Sequence, residues 1–67
     1  MDISVVIPLL NEDESLQELY NWIAKIMLAN SFAYEVIFID DGSTDSSWNI
    51  IKKLSNENVS VKGIRFQ

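Results

Sequence analysis

Glu35-Val36-Ile37-Phe38-Ile39-Asp40-Asp41-Gly42-Ser43-Thr44-Asp45 is the stretch whose reading decides the architecture. An unbroken apolar run ends in two adjacent carboxylates and a small, polar turn. Val-Ile-Phe-Ile reads as a strand buried on both faces, as in a parallel sheet. In open α/β sheets ligands sit outside the carboxyl ends of strands, where this acid pair falls.

Upstream, Ile3 to Ile7 form a short β-branched run, stopped by Pro8, which has no N–H to give to a ladder. Leu9 to Asn11 make a connection, and Asn11 with Glu14 fits a helix N-cap and its capping-box partner. From about Asp13 the pattern is helical: Leu16, Leu19, Tyr20, Ile23, Ile26 and Met27 recur at spacings of three and four. Glu12, Asp13 and Glu14 cluster at the start, where the helix dipole favours anions. The helix fades near Asn30-Ser31.

Downstream, Ser43 or Thr44 is expected to cap a second helix, with Asp45 in its first turn. Trp48, Ile51 and Leu54 give that helix an apolar face, with Ile50 at the edge, and Asn56-Glu57-Asn58 ends it. Val59 to Phe66 reads as a third strand, with weaker alternation around Gly63. The order strand–helix–strand–helix–strand, with right-handed crossovers, predicts an α/β fold with a Rossmann-like parallel sheet. Two helices cannot cover both faces of three apolar strands well. Residues 1–67 are therefore expected to be the N-terminal part of a larger domain.

Composition narrows the chemistry. A chain of 67 residues makes one small domain at most, and such domains bury only about 60 % of their unfolded surface. There is no cysteine and no histidine, so disulfides, thiolate clusters, imidazole base catalysis and Cys–His or Ser–His–Asp arrangements are excluded. Any metal must take oxygen ligands, which favours Mg²⁺ or Mn²⁺. A formal net charge of −5, with Lys25, Lys52, Lys53, Lys62 and Arg65 forming no basic stripe, argues against a nucleic-acid surface. The N-terminus lacks a basic region and a cleavage site, and no run approaches the roughly 18 apolar residues of a membrane span. The chain reads as cytoplasmic.

Asp40 and Asp41 are the first candidates for chemistry. Side chains alternate along a strand, so the two should point apart. A carboxylate here can accept from a ribose hydroxyl or a base N–H, or help hold a cation; the other reading is a turn that merely ends a strand. Pro8 to Glu12 lie at the carboxyl end of the first strand, beside the second if the two pair. Asn11 and Glu12 can line the same crevice, or serve only as helix cap and dipole partner. Gly42-Ser43-Thr44 precedes a helix start, where free N–H groups can hold a phosphate. The segment matches neither phosphate-loop fingerprint, however, and acids flank it on both sides. Trp22, Trp48, Tyr20 and Tyr34 read as packing residues.

Val5-Val6-Ile7-Pro8-Leu9-Leu10-Asn11-Glu12-Asp13-Glu14-Ser15-Leu16 resembles the opening of family 2 glycosyltransferases, whose usual form is Val-Ile-Pro-x-Tyr-Asn-Glu. Glu35 to Asp45 resembles that family's second signature, an apolar strand ending in Asp-Asp-Gly-Ser-x-Asp. Trp48 is similar to the branch of dolichol-phosphate and bacterial polyprenyl-phosphate sugar transferases. The resemblance implies the N-terminal half of a GT-A fold and transfer of a sugar from a nucleotide-diphosphate donor to a glycan or lipid-phosphate acceptor. It places Pro8, Leu10 and Glu12 at the border of the nucleotide. Ile39 and Asp41 would hold base and ribose, with Asp40 beside them. Leu10 stands where the family often has Tyr, which removes a ring contact. The family's Asp-x-Asp motif for Mg²⁺ or Mn²⁺, its catalytic base and its acceptor site are expected beyond Gln67, as is any membrane-associated segment.

Two other classes compete. One is a non-catalytic nucleotide- or protein-binding module. The other is a receiver-like signalling domain, whose acid pair normally ends the first strand rather than the second.

Overall fold

The computed structural model describes residues 2–66. The described residues form β1 (Ile3–Leu9), α1 (Leu16–Ala29), β2 (Tyr34–Asp40), α2 (Ser47–Glu57) and β3 (Val61–Arg65). The sheet is parallel throughout, in the order β1-β2-β3. That order decides between two expectations. A Rossmann half runs 3-2-1 with its second strand central, whereas the receiver type runs 2-1-3 with the first strand central. Here β2 is central, so the α/β Rossmann-like half-sheet stands and the receiver reading falls.

Both crossovers step the same way across the sheet, so right-handedness puts both helices on one face. Burial follows from this. Val36, Phe38 and Asp40 of β2 face the helices and have no exposed surface. Val36 and Phe38 join Leu16, Tyr20 and Ile23 of α1, Ile51 and Leu54 of α2, and Leu9 and Val61 in one core. Ile37 and Ile39, on the opposite side of β2, are only half-buried. Their neighbours Val6 and Ile64 are 54 % and 47 % exposed. The expectation of burial on both faces thus holds for one face among the described residues, because the two helices share a side.

Three element boundaries differ from expectation for physical reasons. β1 runs through Pro8 to Leu9 rather than stopping at Ile7. The Asp41 N–H donates to the Leu9 carbonyl at 3.0 Å, so by alternation Pro8 turns its backbone to the open edge of β1. A missing N–H costs nothing there. α1 begins at Leu16, not Asp13, and Asn11 is not its cap. The Glu12 carbonyl opens that helix by accepting from the Ser15 and Leu16 N–H groups, both at 3.1 Å. β3 is shorter than Val59–Phe66, and its glycine has a steric cause. A Cβ on Gly63 would lie 2.5 Å from Ile51 Cγ2 and 3.2 Å from the Trp48 ring, so α2 packs directly on bare backbone.

Candidate functional site

Parallel pairing brings the carboxyl ends of β1 and β2 side by side. Pro8 is in register with Ile39, and Leu9 with Asp40. The chain leaves these strands through two loops, 10–15 and 41–46, which share the end of the sheet.

The two acids of the Asp-Asp pair point apart, as alternation requires, and their environments are opposite. Asp40 is fully buried. Its Oδ1 accepts from the Gly42 N–H at 3.1 Å and the Ser43 N–H at 2.7 Å, which folds the turn back on the strand. Gly42 takes φ +96°, a left-handed conformation that favours glycine. Asp40 Oδ2 is buried without a partner. Asp41 is exposed. Of the two, only Asp41 presents its carboxylate to a ligand from solvent; Asp40, expected beside the nucleotide, shapes the turn from beneath.

The residues singled out on the first strand do converge. Pro8, Leu10 and Glu12 line an open cavity of about 420 Å³ together with Ser15, Leu16 and Leu19 of the following segment. Leu10 is 51 % exposed and Glu12 is exposed. Ile39 and Asp41 lie outside that cavity, on the β2 side of the same strand ends. The strand ends therefore offer two banks: Pro8, Leu10 and Glu12 on the wall of the cavity beside α1, and Ile39 and Asp41 at the neighbouring end of β2, outside that cavity.

Between the banks runs a set of hydrogen bonds that the sequence did not reveal. Three consecutive N–H groups of the first loop donate to side chains of the second loop and the first residue of α2: Asn11 to Ser43 Oγ at 2.9 Å, Glu12 to Ser47 Oγ at 2.9 Å, and Asp13 to Asp45 Oδ2 at 3.2 Å. Three consecutive N–H groups of the second loop return the arrangement. Thr44 and Asp45 donate to Asn11 Oδ1 at 2.9 and 3.3 Å, and Ser46 donates to Asp13 Oδ2 at 3.2 Å. Asn11 adopts φ +53°, a left-handed conformation in which Asn is enriched among non-glycine residues. Burial works to raise the Asp45 carboxyl, but the hydrogen bonds from Ser47 and Asp13 outweigh it and hold the group below the usual aspartate value.

This network settles two expectations. Ser43 and Thr44 do not cap α2; the Ser47 N–H donates to Asp45 Oδ1 at 2.8 Å, so Asp45 supplies the acceptor before that helix. The N–H groups of residues 42–47 all donate to Asp40, Asn11, Asp13 or Asp45, leaving none free to receive a phosphate. The signal was present in part, since Asn11, Asp13, Ser43, Asp45 and Ser47 are short polar side chains of the kind that bond backbone. What sequence does not show is that partners 32 to 35 residues apart would meet.

Among the described residues no three carboxylates come together to hold a metal ion. The acids in the loops are spent on backbone N–H groups or stand apart. No helix of the described residues is long and apolar enough to cross a membrane.

Comparison with known proteins agrees with this geometry. The description "Glycosyl transferase family 2" matches residues 4–67. A protein from Salmonella choleraesuis named undecaprenyl-phosphate 4-deoxy-4-formamido-L-arabinose transferase is 47 % identical over 55 residues, covering 82 % of this chain and 17 % of that protein. Proteins of the same name from Salmonella paratyphi B and Salmonella newport are 46 % identical over the same coverage. The chain spans about one-sixth of the length of these relatives. With the family description matching nearly its whole length, on a half-sheet of the expected strand order, the chain belongs to glycosyl transferase family 2.

Proposed function

We propose that this chain forms the nucleotide-binding side of the donor site in a glycosyltransferase that moves a sugar from a nucleotide-diphosphate donor to a lipid-phosphate acceptor of the polyprenyl type. The observation that carries the reading is the pairing of the carboxyl ends of β1 and β2, with Leu10, Glu12 and Asp41 open to solvent there and a cavity beside Pro8, Leu10 and Glu12. The acceptor class follows the name of the relatives, which act on undecaprenyl phosphate.

The chemistry of these strand ends suits a nucleoside better than a phosphate. An ionised carboxylate can accept hydrogen bonds but not donate them, so Asp41 and Glu12 suit donors such as ribose hydroxyls or a base N–H. Pro8, Leu10 and Ile39 offer apolar surface for the flat face of a base. The acids and the fully committed N–H groups of the second loop repel or ignore the diphosphate, which must be neutralised elsewhere. A divalent Mg²⁺ or Mn²⁺ ion supplies that neutralisation in this reading. The described residues do not fit such an ion, so its ligands, the catalytic base and the acceptor site belong to other parts of a longer protein. This segment alone binds and does not transfer. In this reading the whole enzyme works at the cytoplasmic face of the membrane, where a nucleotide-sugar donor meets a lipid phosphate.

The test is Asp41→Ala in the full-length protein, titrated calorimetrically with UDP, GDP and CDP. Loss of a charge-assisted hydrogen bond should weaken the preferred nucleotide about tenfold or more. Unchanged affinity sinks the assignment.

A further inference from the structure

The two signature loops divide their residues into two sets. Pro8, Leu10 and Glu12 line the cavity and Asp41 is exposed at the neighbouring strand end, whereas Asn11, Asp13, Ser43, Asp45 and Ser47 bond across between the first loop and residues 43–47. The cross-loop bonds are reciprocal, with three N–H groups given in each direction. Asn11 is the hinge of the arrangement. Its N–H donates to Ser43 Oγ, its Oδ1 accepts two N–H groups of the facing loop, and its backbone sits at φ +53°. It lies between Leu10 and Glu12 in sequence, so any movement of Asn11 moves both.

We propose that Asn11 is a positioning residue for donor binding: its carboxamide ties the 43–46 segment to the 10–13 segment, so that Glu12 and Asp41 are held at a fixed separation before the nucleotide arrives. The proposal rests on the nucleotide reading of these strand ends. Its physical content is preorganisation. Two loops that move independently must be ordered on binding, and that ordering subtracts from affinity. Two loops joined by six hydrogen bonds are ordered already. Asp13 and Asp45 assist by exchanging backbone N–H groups, each carboxylate bonding the loop opposite.

The chemistry of Asn11 allows its two contributions to be separated. Asn11→Gly keeps the left-handed backbone available and removes the acceptor. Asn11→Asp keeps an acceptor in place. Both are made in the full-length protein and titrated with the nucleotide among UDP, GDP and CDP that the wild type binds most tightly, well below the unfolding temperature. Amide hydrogen exchange of residues 44–46 is followed in parallel. Asn11→Gly should speed exchange at Thr44 and Asp45 and weaken the nucleotide about tenfold, in the range that misplaced groups cost. Asn11→Asp should restore most of both. Asp13→Ala, which removes a single cross-loop acceptor, is the milder variant should Asn11→Gly fail to fold, and it should show the same pattern on a smaller scale.

The proposal is overturned if exchange at residues 44–46 quickens while affinity stays at the wild-type value, since the bonds then serve folding alone. It is equally overturned if exchange is unchanged. Failure of the underlying nucleotide reading looks different: Asp41→Ala then has no effect, or the wild type binds none of the three nucleotides, and the positioning role falls with it.

Discussion

The two faces of this sheet are made by the same three strands and obey the same alternation, yet they end in opposite states. On one face Val36 and Phe38 are sealed under α1 and α2. On the other, Val6 and Ile64 are about half exposed beside the half-buried Ile37 and Ile39. The difference is topological rather than compositional, because both right-handed crossovers step in one direction and put both helices on one side. Apolar strand residues therefore report that a face suits burial, not that the helices at hand will bury it.

The sharpest way to break the comparison is a pair of substitutions, one per face. Phe38→Ala empties the centre of the covered face and should cost about 3–5 kcal/mol in urea denaturation. Val6→Thr keeps the shape of an exposed side chain and should change stability by less than about 0.5 kcal/mol in this chain. The contrast fails if Val6→Thr proves as damaging as a core substitution. A cost above about 1 kcal/mol for Val6→Thr within a chain of the relatives' length, but not in these 67 residues alone, would mean that the open face is covered there.

The comparison continues at the end of β2, where Asp40 takes the covered side and Asp41 the open one. Asp40→Ala strips the acceptor from two turn N–H groups, one of them in a buried bond, and should cost about 3 kcal/mol. Asp40→Asn keeps the acceptor for the turn and changes only the buried atom, Oδ2, that has no partner. It should lie within about 1 kcal/mol of the wild type. If Asn proves as harmful as Ala, the carboxyl group matters beyond its acceptor oxygen and the turn-shaping account is incomplete.

Much of this was legible in the sequence, and the misses share a cause. Element order, the parallel sheet and the meeting of Pro8 to Glu12 with Asp40-Asp41 at two strand ends follow from periodicity and from where apolar runs stop; the narrower set Pro8, Leu10, Glu12, Ile39 and Asp41 is what the family resemblance implies. These are local signals. Asn11 offers a plausible local partner, a helix N-terminus, yet its bonds reach across the sheet end; Asp45 does serve the start of α2, and its second oxygen reaches across as well. Asp40 and Asp41 are chemically identical neighbours, and only the strand's orientation toward the helices decides which is sealed. Pro8 inside β1 became intelligible once β1 was seen at an edge.

Gly63 tests the closeness of the covered face at its far strand. The space for a Cβ is already taken by Ile51 and Trp48, so Gly63→Ala should cost about 1–2 kcal/mol by forcing α2 away from β3. Its neighbour Ile64 points to the open face, and Ile64→Val should be close to neutral. A neutral Gly63→Ala would show that α2 can shift without loss.

The smallest expected effect lies at the amino end of the open face, where Glu35 accepts from the Ser4 hydroxyl at 2.6 Å and pairs with Lys62 at 3.1 Å. The Ser4 hydrogen bond is the larger cause, and Lys62 the next, of a Glu35 carboxyl held below its ordinary value. A depressed carboxyl stabilises the fold above its unfolded pKa, and the benefit is lost as pH falls through the folded value. Ser4→Ala should therefore raise the Glu35 pKa more than Lys62→Ala does, as read by NMR titration of the side-chain carboxyl. Neither change should move neutral-pH stability much, since an exposed lysine pair is screened by solvent. If Lys62→Ala shifts Glu35 further than Ser4→Ala, charge rather than the hydroxyl governs this corner. The open face would then be organised electrostatically at its polar end, in contrast to the packing that organises the covered one.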